Sequence, residues 1–164
     1  MLIYSHATEL DEIDIVILQE VQQNGRISNV ELAQKINLSP PATHTRVKRL
    51  SEKGYIREFV ALLDQEKVGY EMTCFIRINL EMHQSEALKN FRTAIVDMPE
   101  VLECHHVTGE FDYLLKVIVR TRKELEQFIV NRLTPISGVG HIYTSLVLST
   151  IKTTTTLPLQ PIGG

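Results

Sequence analysis

The sequence predicts an α+β chain built from two units, three short helices followed by a β-α-β-β-α-β unit. Apolar residues recur at helical spacing through the N-terminal third, strand and helix periodicities alternate from about residue 72 onward, and turn residues stand where one pattern gives way to the next. A length of 164 residues with 43% hydrophobic content suits one large globular unit or two small ones. Units this small often gain stability by oligomerising.

Residues 10–22 carry Ile13, Ile17, Leu18 and Val21 at helical spacing. Asp11 and Glu12 stand in the first turn, where the helix dipole favours acids, and Asn24-Gly25 stops the helix. Ser28-Asn29-Val30-Glu31 is a capping box that opens a second helix, because the Ser28 side chain can accept from the Glu31 N–H while Glu31 reaches back. Val30, Ala33 and Ile36 make its apolar stripe, and Asn37 breaks it. Ser39 caps a third helix, with Pro40 in the first turn, where a missing N–H costs nothing. Thr43, Val47 and Leu50 share the face that packs on the first two helices, and Gly54 ends the element. Residues 55–63 read as one extended segment, a wing or a pairing strand, and residues 64–71 as a link.

The second unit opens with a strand at residues 73–80 of period two: Cys74, Ile76, Ile78 and Leu80 on one face, Thr73, Phe75, Arg77 and Asn79 on the other. Residues 85–98 have helical period, with Leu88, Phe91, Ile95 and Met98 inward, and Pro99 closes them. Residues 101–108 and 112–120 are strands joined at Gly109-Glu110. Thr121-x-x-Glu124 is a second capping box, opening a helix with Leu125, Phe128, Ile129 and Leu133 inward, which Pro135 and Gly138 end. Residues 139–151 form a long final strand. The order is ferredoxin-like, with both helices on one face of the sheet. Nothing in the chain is expected over the other face, where Phe75, Leu114 and Ile118 stand among polar residues, a candidate oligomer interface.

The formal net charge of −3 argues, as an average, against a nucleic-acid partner. Binding needs only a local basic face, and residues 39–53 hold Arg46, Lys48, Arg49 and Lys53 with Glu52 as the one acid. Cys74 and Cys104 lie far apart without a C-x-x-C spacing and read as reduced, buried thiols. The sequence shows no cleavable leader pattern and no apolar run long enough to span a bilayer, so the expectation is a cytoplasmic protein with no membrane partner.

Leu10-Asp11-x-x-Asp14-x-x-Ile17-Leu18, then Asn24 through Ala33, then Leu38-Ser39-Pro40 and Arg46-Val47-Lys48-Arg49-Leu50, occur in an order that resembles the Lrp/AsnC family of transcription regulators. Glu103-Cys104-His105 and Gly109-Glu110-Phe111-Asp112-Tyr113-Leu114-Leu115 resemble the ligand-sensing domain of the same family, and the likeness spans residues 10–152. The resemblance implies a winged helix-turn-helix DNA-binding domain at residues 1–63, a linker at 64–71, a ferredoxin-like sensing and oligomerisation domain at 72–152 and a C-terminal tail at 153–164. It also implies a partner in double-stranded DNA, homodimers that assemble further, commonly to octamers, no cofactor, and an amino-acid effector bound between sensor domains of neighbouring subunits. Residues 152–158 resemble endings seen in some members, with no role attached.

A recognition helix must turn donors toward base edges and phosphates while its back packs in the protein. Pro41, His44, Thr45, Lys48 and Arg49 are the expected DNA-facing surface, with His44 and Thr45 toward bases and Lys48 and Arg49 as phosphate clamps. Arg46 is open between DNA and an acid of the first helix. Ser28 and Asn29, at the start of the second helix, could meet phosphate through backbone N–H groups, although capping alone explains Ser28. The competing reading of the whole set is a solvated helix face.

The effector candidates are Thr108, Gly109, Glu110, Phe111 and Asp112, with Gly138, Val139, His141 and Thr144 of the final strand as a neighbouring subunit's wall. Backbone N–H groups of the glycine turn suit a carboxylate, and Asp112 suits an ammonium group. On spacing alone the segment equally suits a hairpin turn with Asp112 as a local cap. Cys104-His105-His106 invites a metal, but strand alternation sends His105 away from the other two, and His83 or His141 would have to join by folding. The sequence holds no nucleophile elbow, Walker loop or dinucleotide fingerprint, so catalysis is not expected.

Overall fold

The computed structural model describes residues 10–81 and 85–159. The chain divides into two compact units: the residues up to Leu62 together with those from Lys152 onward, and Leu63–Ile151.

In the first unit, α1 (Glu12–Gln23), α2 (Asn29–Ile36) and α3 (Pro40–Glu52) pack around Ile17, Leu18, Leu32, Ile36 and Leu50. Asp11 is the N-cap of α1 and forms a capping box with Asp14, so it stands just before the first turn instead of within it. The box at Ser28 and Glu31 forms as expected, and Asn37 ends α2 in the left-handed region at φ 53°. The stripe of α2 is Leu32, Ala33 and Ile36; Val30 is exposed, because it lies a half-turn from Leu32 on a helix only eight residues long. Thr43 and Leu50 are buried on the inner face of α3, as the pattern indicates. Residues 55–63 form no ladder among the described residues, and Phe59, Val60, Leu62 and Leu63 are exposed. The segment expected as a wing or a pairing strand therefore has no partner strand among the described residues.

The second unit holds a four-stranded antiparallel sheet in the order β2-β3-β1-β4, from β1 (Met72–Leu80), β2 (Val101–His106), β3 (Tyr113–Val119) and β4 (Val139–Leu146). Helix α4 (Ser85–Val96) and helix α5 (Arg122–Gln127), which continues as a π-helical segment Phe128–Leu133, complete the unit. Cys74, Ile76, Ile78 and Leu80 are buried with Tyr113, Leu115, Val117, Phe91, Ile95, Phe128 and Leu133, as strand and helix periodicity require. The segment expected as a link is a tight turn of this unit: the Asp64 carboxylate accepts from the Lys67 N–H, and Gly69 adopts φ 91°.

Four further expectations change. At the start of α5, Thr121 caps the Glu124 N–H, but the Glu124 carboxylate accepts from the Arg120 N–H, so only half of the box forms. Strand β4 ends at Leu146, five residues short of the expected end: Cys74 pairs with Leu146, and the Val147 N–H donates to the Thr73 carbonyl. Cys104 is exposed on the edge strand β2, whereas Cys74 is buried and its thiol is pushed up by desolvation. The far face of the sheet is not uniformly bare. Ile118 is buried beside Thr73, and Gln65 donates to the Thr73 hydroxyl, bringing the 64–70 turn to that corner.

Candidate functional site

The outer face of α3 is positioned by an ion-pair cluster at its back. Asp14 is fully buried in α1, and its two carboxylate oxygens accept from Arg46 at 2.8 Å and Arg49 at 2.5 Å. Arg46 also bonds Asp11 at 2.7 Å. Partial burial pushes the Asp11 carboxyl up, but the hydrogen bonds from Arg46 and the Asp14 N–H, with both guanidinium charges, outweigh it and hold the carboxyl below its ordinary range. The ambiguity at Arg46 resolves toward the acids of the first helix. Arg49, expected as a phosphate clamp, is turned back to Asp14, because a buried carboxylate without a cation is far more costly than one fewer outward charge.

Pro41, His44, Thr45, Lys48 and Arg49 are all exposed on α3, and of these Arg49 is also tied to Asp14. Lys48 reaches only Glu52, at 3.7 Å, with both side chains largely in solvent. The Thr45 hydroxyl donates to the Pro41 carbonyl at 3.0 Å, so it meets a partner as an acceptor or through its methyl group. Asn29 approaches His44 Nδ1 at 3.2 Å, which joins the start of α2 to the face of α3. Ser28 is taken up by its cap, its hydroxyl lying 2.7 Å from a Glu31 oxygen.

In the second unit the loop between β2 and β3 spans residues 107–112 and is closed by the Val107 N–H donating to the Asp112 carbonyl. Gly109 holds φ 124°, a conformation that side chains disfavour. Asp112 extends the β1–β3 ladder: its N–H donates to the Ile78 carbonyl, and its Oδ2 accepts from the Leu80 N–H at 2.8 Å. Asn79 donates to the Glu110 carbonyl at 2.7 Å. These bonds hold Glu110 and Phe111 beside the strand.

A cavity of about 320 Å³ opens there, lined by Arg77, Asn79, Glu110, Phe111, His141 and Tyr143. The Arg77 guanidinium lies 5.7 Å from the Phe111 ring centroid and 5.5 Å from that of Tyr143, held by the ring faces. Among the described residues neither Arg77 nor Glu110 has an ion-pair partner. Two larger concavities, of about 590 and 420 Å³, are each bridged by an ion pair of their own, Lys35–Glu20 and Arg132–Glu100.

Of the expected effector residues, Glu110, Phe111 and His141 come together in this cavity. Thr108 and Gly109 are exposed on the loop without lining it. Thr144 pairs with Ile76, which puts it on the opposite sheet face from His141. Gly138 and Val139 serve the β1–β4 edge: Gly138 adopts φ 88°, its carbonyl accepts from Glu81, and a Cβ there would lie 2.9 Å from that of Ala87. Sequence reasoning missed Arg77, Asn79 and Tyr143. Their signal was strand alternation, which puts all three on the face opposite the core.

The metal reading gains no support. His105 pairs with Glu103, His106 stacks on Tyr113, and no cluster among the described residues has three ligating side chains; His83 lies outside them. No helix among the described residues is long and apolar enough to cross a membrane.

Residues 73–157 match the family model of the Lrp/AsnC ligand binding domain, and residues 10–57 that of a winged helix-turn-helix DNA-binding domain. The chain is 37% identical over 151 residues to the transcriptional regulator AzlB of Bacillus subtilis, covering 92% of this chain and 96% of that protein. It is 36% identical over 152 residues to the leucine-responsive regulatory protein of Escherichia coli, covering 93% of each. Among solved structures, a transcriptional regulator of Neisseria meningitidis in complex with L-Met superimposes with a TM-score of 0.88 at 39% identity, over 91% of this chain and 96% of that one.

Proposed function

Because the chain belongs to the Lrp/AsnC family of transcription regulators, we propose that α3 of its DNA-binding unit reads an operator and that its sensor unit holds a free amino acid at the Arg77–Glu110 cleft. One observation carries the effector assignment: a cation and an anion without counter-ions line the same small concavity. A free α-amino acid bears one charge of each sign. Arg77 receives its carboxylate and Glu110 its ammonium group, while Phe111 and Tyr143 face its side chain. The ammonium role expected of Asp112 passes to Glu110, because Asp112 is occupied in holding β1. The L-Met complex of the Neisseria relative supports the same ligand class. Thr108 and Gly109 shape the loop in this reading, and Gly138, Val139 and Thr144 belong to the wall that a neighbouring subunit presents.

On the DNA side, His44 and Thr45 meet base edges, Lys48 contacts phosphate, and Pro41, Ser28 and Asn29 border the groove. Arg49 ties α3 to α1 through Asp14. The unit works as a homodimer that assembles to an octamer, placing recognition helices in successive major grooves. The exposed Phe75, Leu102 and Tyr143 support an assembly through the second unit. The effector acts only in so far as it binds one assembly more tightly than another. A thermal-shift screen of the full chain against the standard amino acids tests this. At least one amino acid should raise the melting temperature of the wild type and fail to do so in Arg77→Gln; a flat response across the panel overturns the effector reading.

A further inference from the structure

The residues after β4 leave the sensor unit and join the core of the DNA-binding unit. Gln22 of α1 clamps Leu157 through both ends of its side-chain amide: Oε1 accepts from the Leu157 N–H at 2.7 Å, and Nε2 donates to the Leu157 carbonyl at 3.3 Å. One turn earlier, Gln19 donates to the Leu159 carbonyl at 3.1 Å. The Leu159 side chain packs against the cluster of Ile17, Leu18, Leu32, Ile36 and Leu50. The first unit is therefore built from both ends of the chain.

We infer that residues 152–159 are a releasable strap whose docking on α1, through Gln19, Gln22 and Leu159, sets the DNA affinity of the recognition helix. The route is short. Helix α1 also carries Asp11 and Asp14, the anions that hold Arg46 and Arg49 of α3. Whatever steadies α1 steadies the face of α3. The strap is also weak enough to release, since among the described residues its attachment is three backbone-directed hydrogen bonds and one half-buried leucine, while residues 152–158 are exposed. It follows β4 after five residues, Val147–Ile151, so a change in β4 has a covalent path to α1 that bypasses the 55–63 segment. The inference requires only that the first unit binds DNA, not that the effector reading is right.

Leu159→Ser and Gln22→Ala test it in the full-length chain, by fluorescence anisotropy with promoter DNA and by hydrogen exchange read peptide by peptide. Leu159→Ser leaves the sequence of α1 intact, so a shared effect cannot come from altered helix propensity. Both variants should exchange faster across α1 and residues 152–159, leave exchange in β1 and β3 unchanged, and bind DNA roughly three- to tenfold more weakly, through the lost hydrogen bonds of Gln22 in one and the lost packing of Leu159 in the other. DNA affinity within about twofold of wild type in both variants overturns the inference, as does unchanged exchange in α1.

Discussion

Arg49 donates to the buried carboxylate of Asp14, 35 positions earlier in the chain, so an exposed residue of α3 also ties that helix to α1. The distinction is measurable. Arg49→Ala should destabilise the DNA-binding unit by about 1.5–3 kcal/mol, the range for a hydrogen bond to a charged group. Arg46→Ala combined with Arg49→Ala should cost more, about 3–5 kcal/mol, because Asp14 is then buried without a cation. Chemical denaturation of each variant checks both values.

Lys48 gives the complementary result. Its ammonium group is exposed and only loosely paired with Glu52, so Lys48→Ala should leave stability within about 0.5 kcal/mol of wild type. It should weaken DNA binding uniformly across sequences and reduce the salt slope by about 0.9, the value for one phosphate contact. Titrations at several salt concentrations supply the slope.

Arg49 and Lys48 lie on either side of what the sequence alone makes legible. The two units, the caps at Ser28 and Ser39 and the buried alternation of Cys74, Ile76 and Ile78 follow from local rules, and the structure follows them. The role of Arg49 was not legible, because helical spacing places it on the outer face and only the packing of α1 brings Asp14 within reach. Arg77 was hidden for the opposite reason: alternation gave its face correctly, but the rings of Phe111 and Tyr143 arrive from a loop and another strand.

Asp11 predicts an acid-side signature. Its carboxyl titrates lower in the folded chain than in the unfolded one, so the folded state binds fewer protons in that range. Its contribution to stability is full above the unfolded value and is lost as pH falls through the folded one. The stability difference between wild type and Asp11→Asn should therefore be constant near neutrality and shrink on acidification below the ordinary carboxylate range. Thermal melts over a pH series read this directly.

Asp112 should act on stability before it acts on any ligand. Asp112→Ala removes the acceptor of the Leu80 N–H, and the sensor unit should lose about 1–2 kcal/mol without effector present. Gly138→Ala should cost a similar amount or more, about 1–3 kcal/mol, since a Cβ there meets Ala87 at 2.9 Å with φ at 88°. Calorimetry of the two variants without ligand separates these structural roles from recognition.

The central claim is that an amino acid held at the Arg77–Glu110 cleft changes how the chain engages DNA. An anisotropy titration of promoter DNA, with and without the amino acid that raises the melting temperature most, tests it directly. The wild-type affinity should shift by about 5- to 150-fold, the usual range of coupling between two sites, and the shift should vanish in Arg77→Gln while that variant still binds DNA. Superimposable wild-type curves with and without the amino acid would contradict the account.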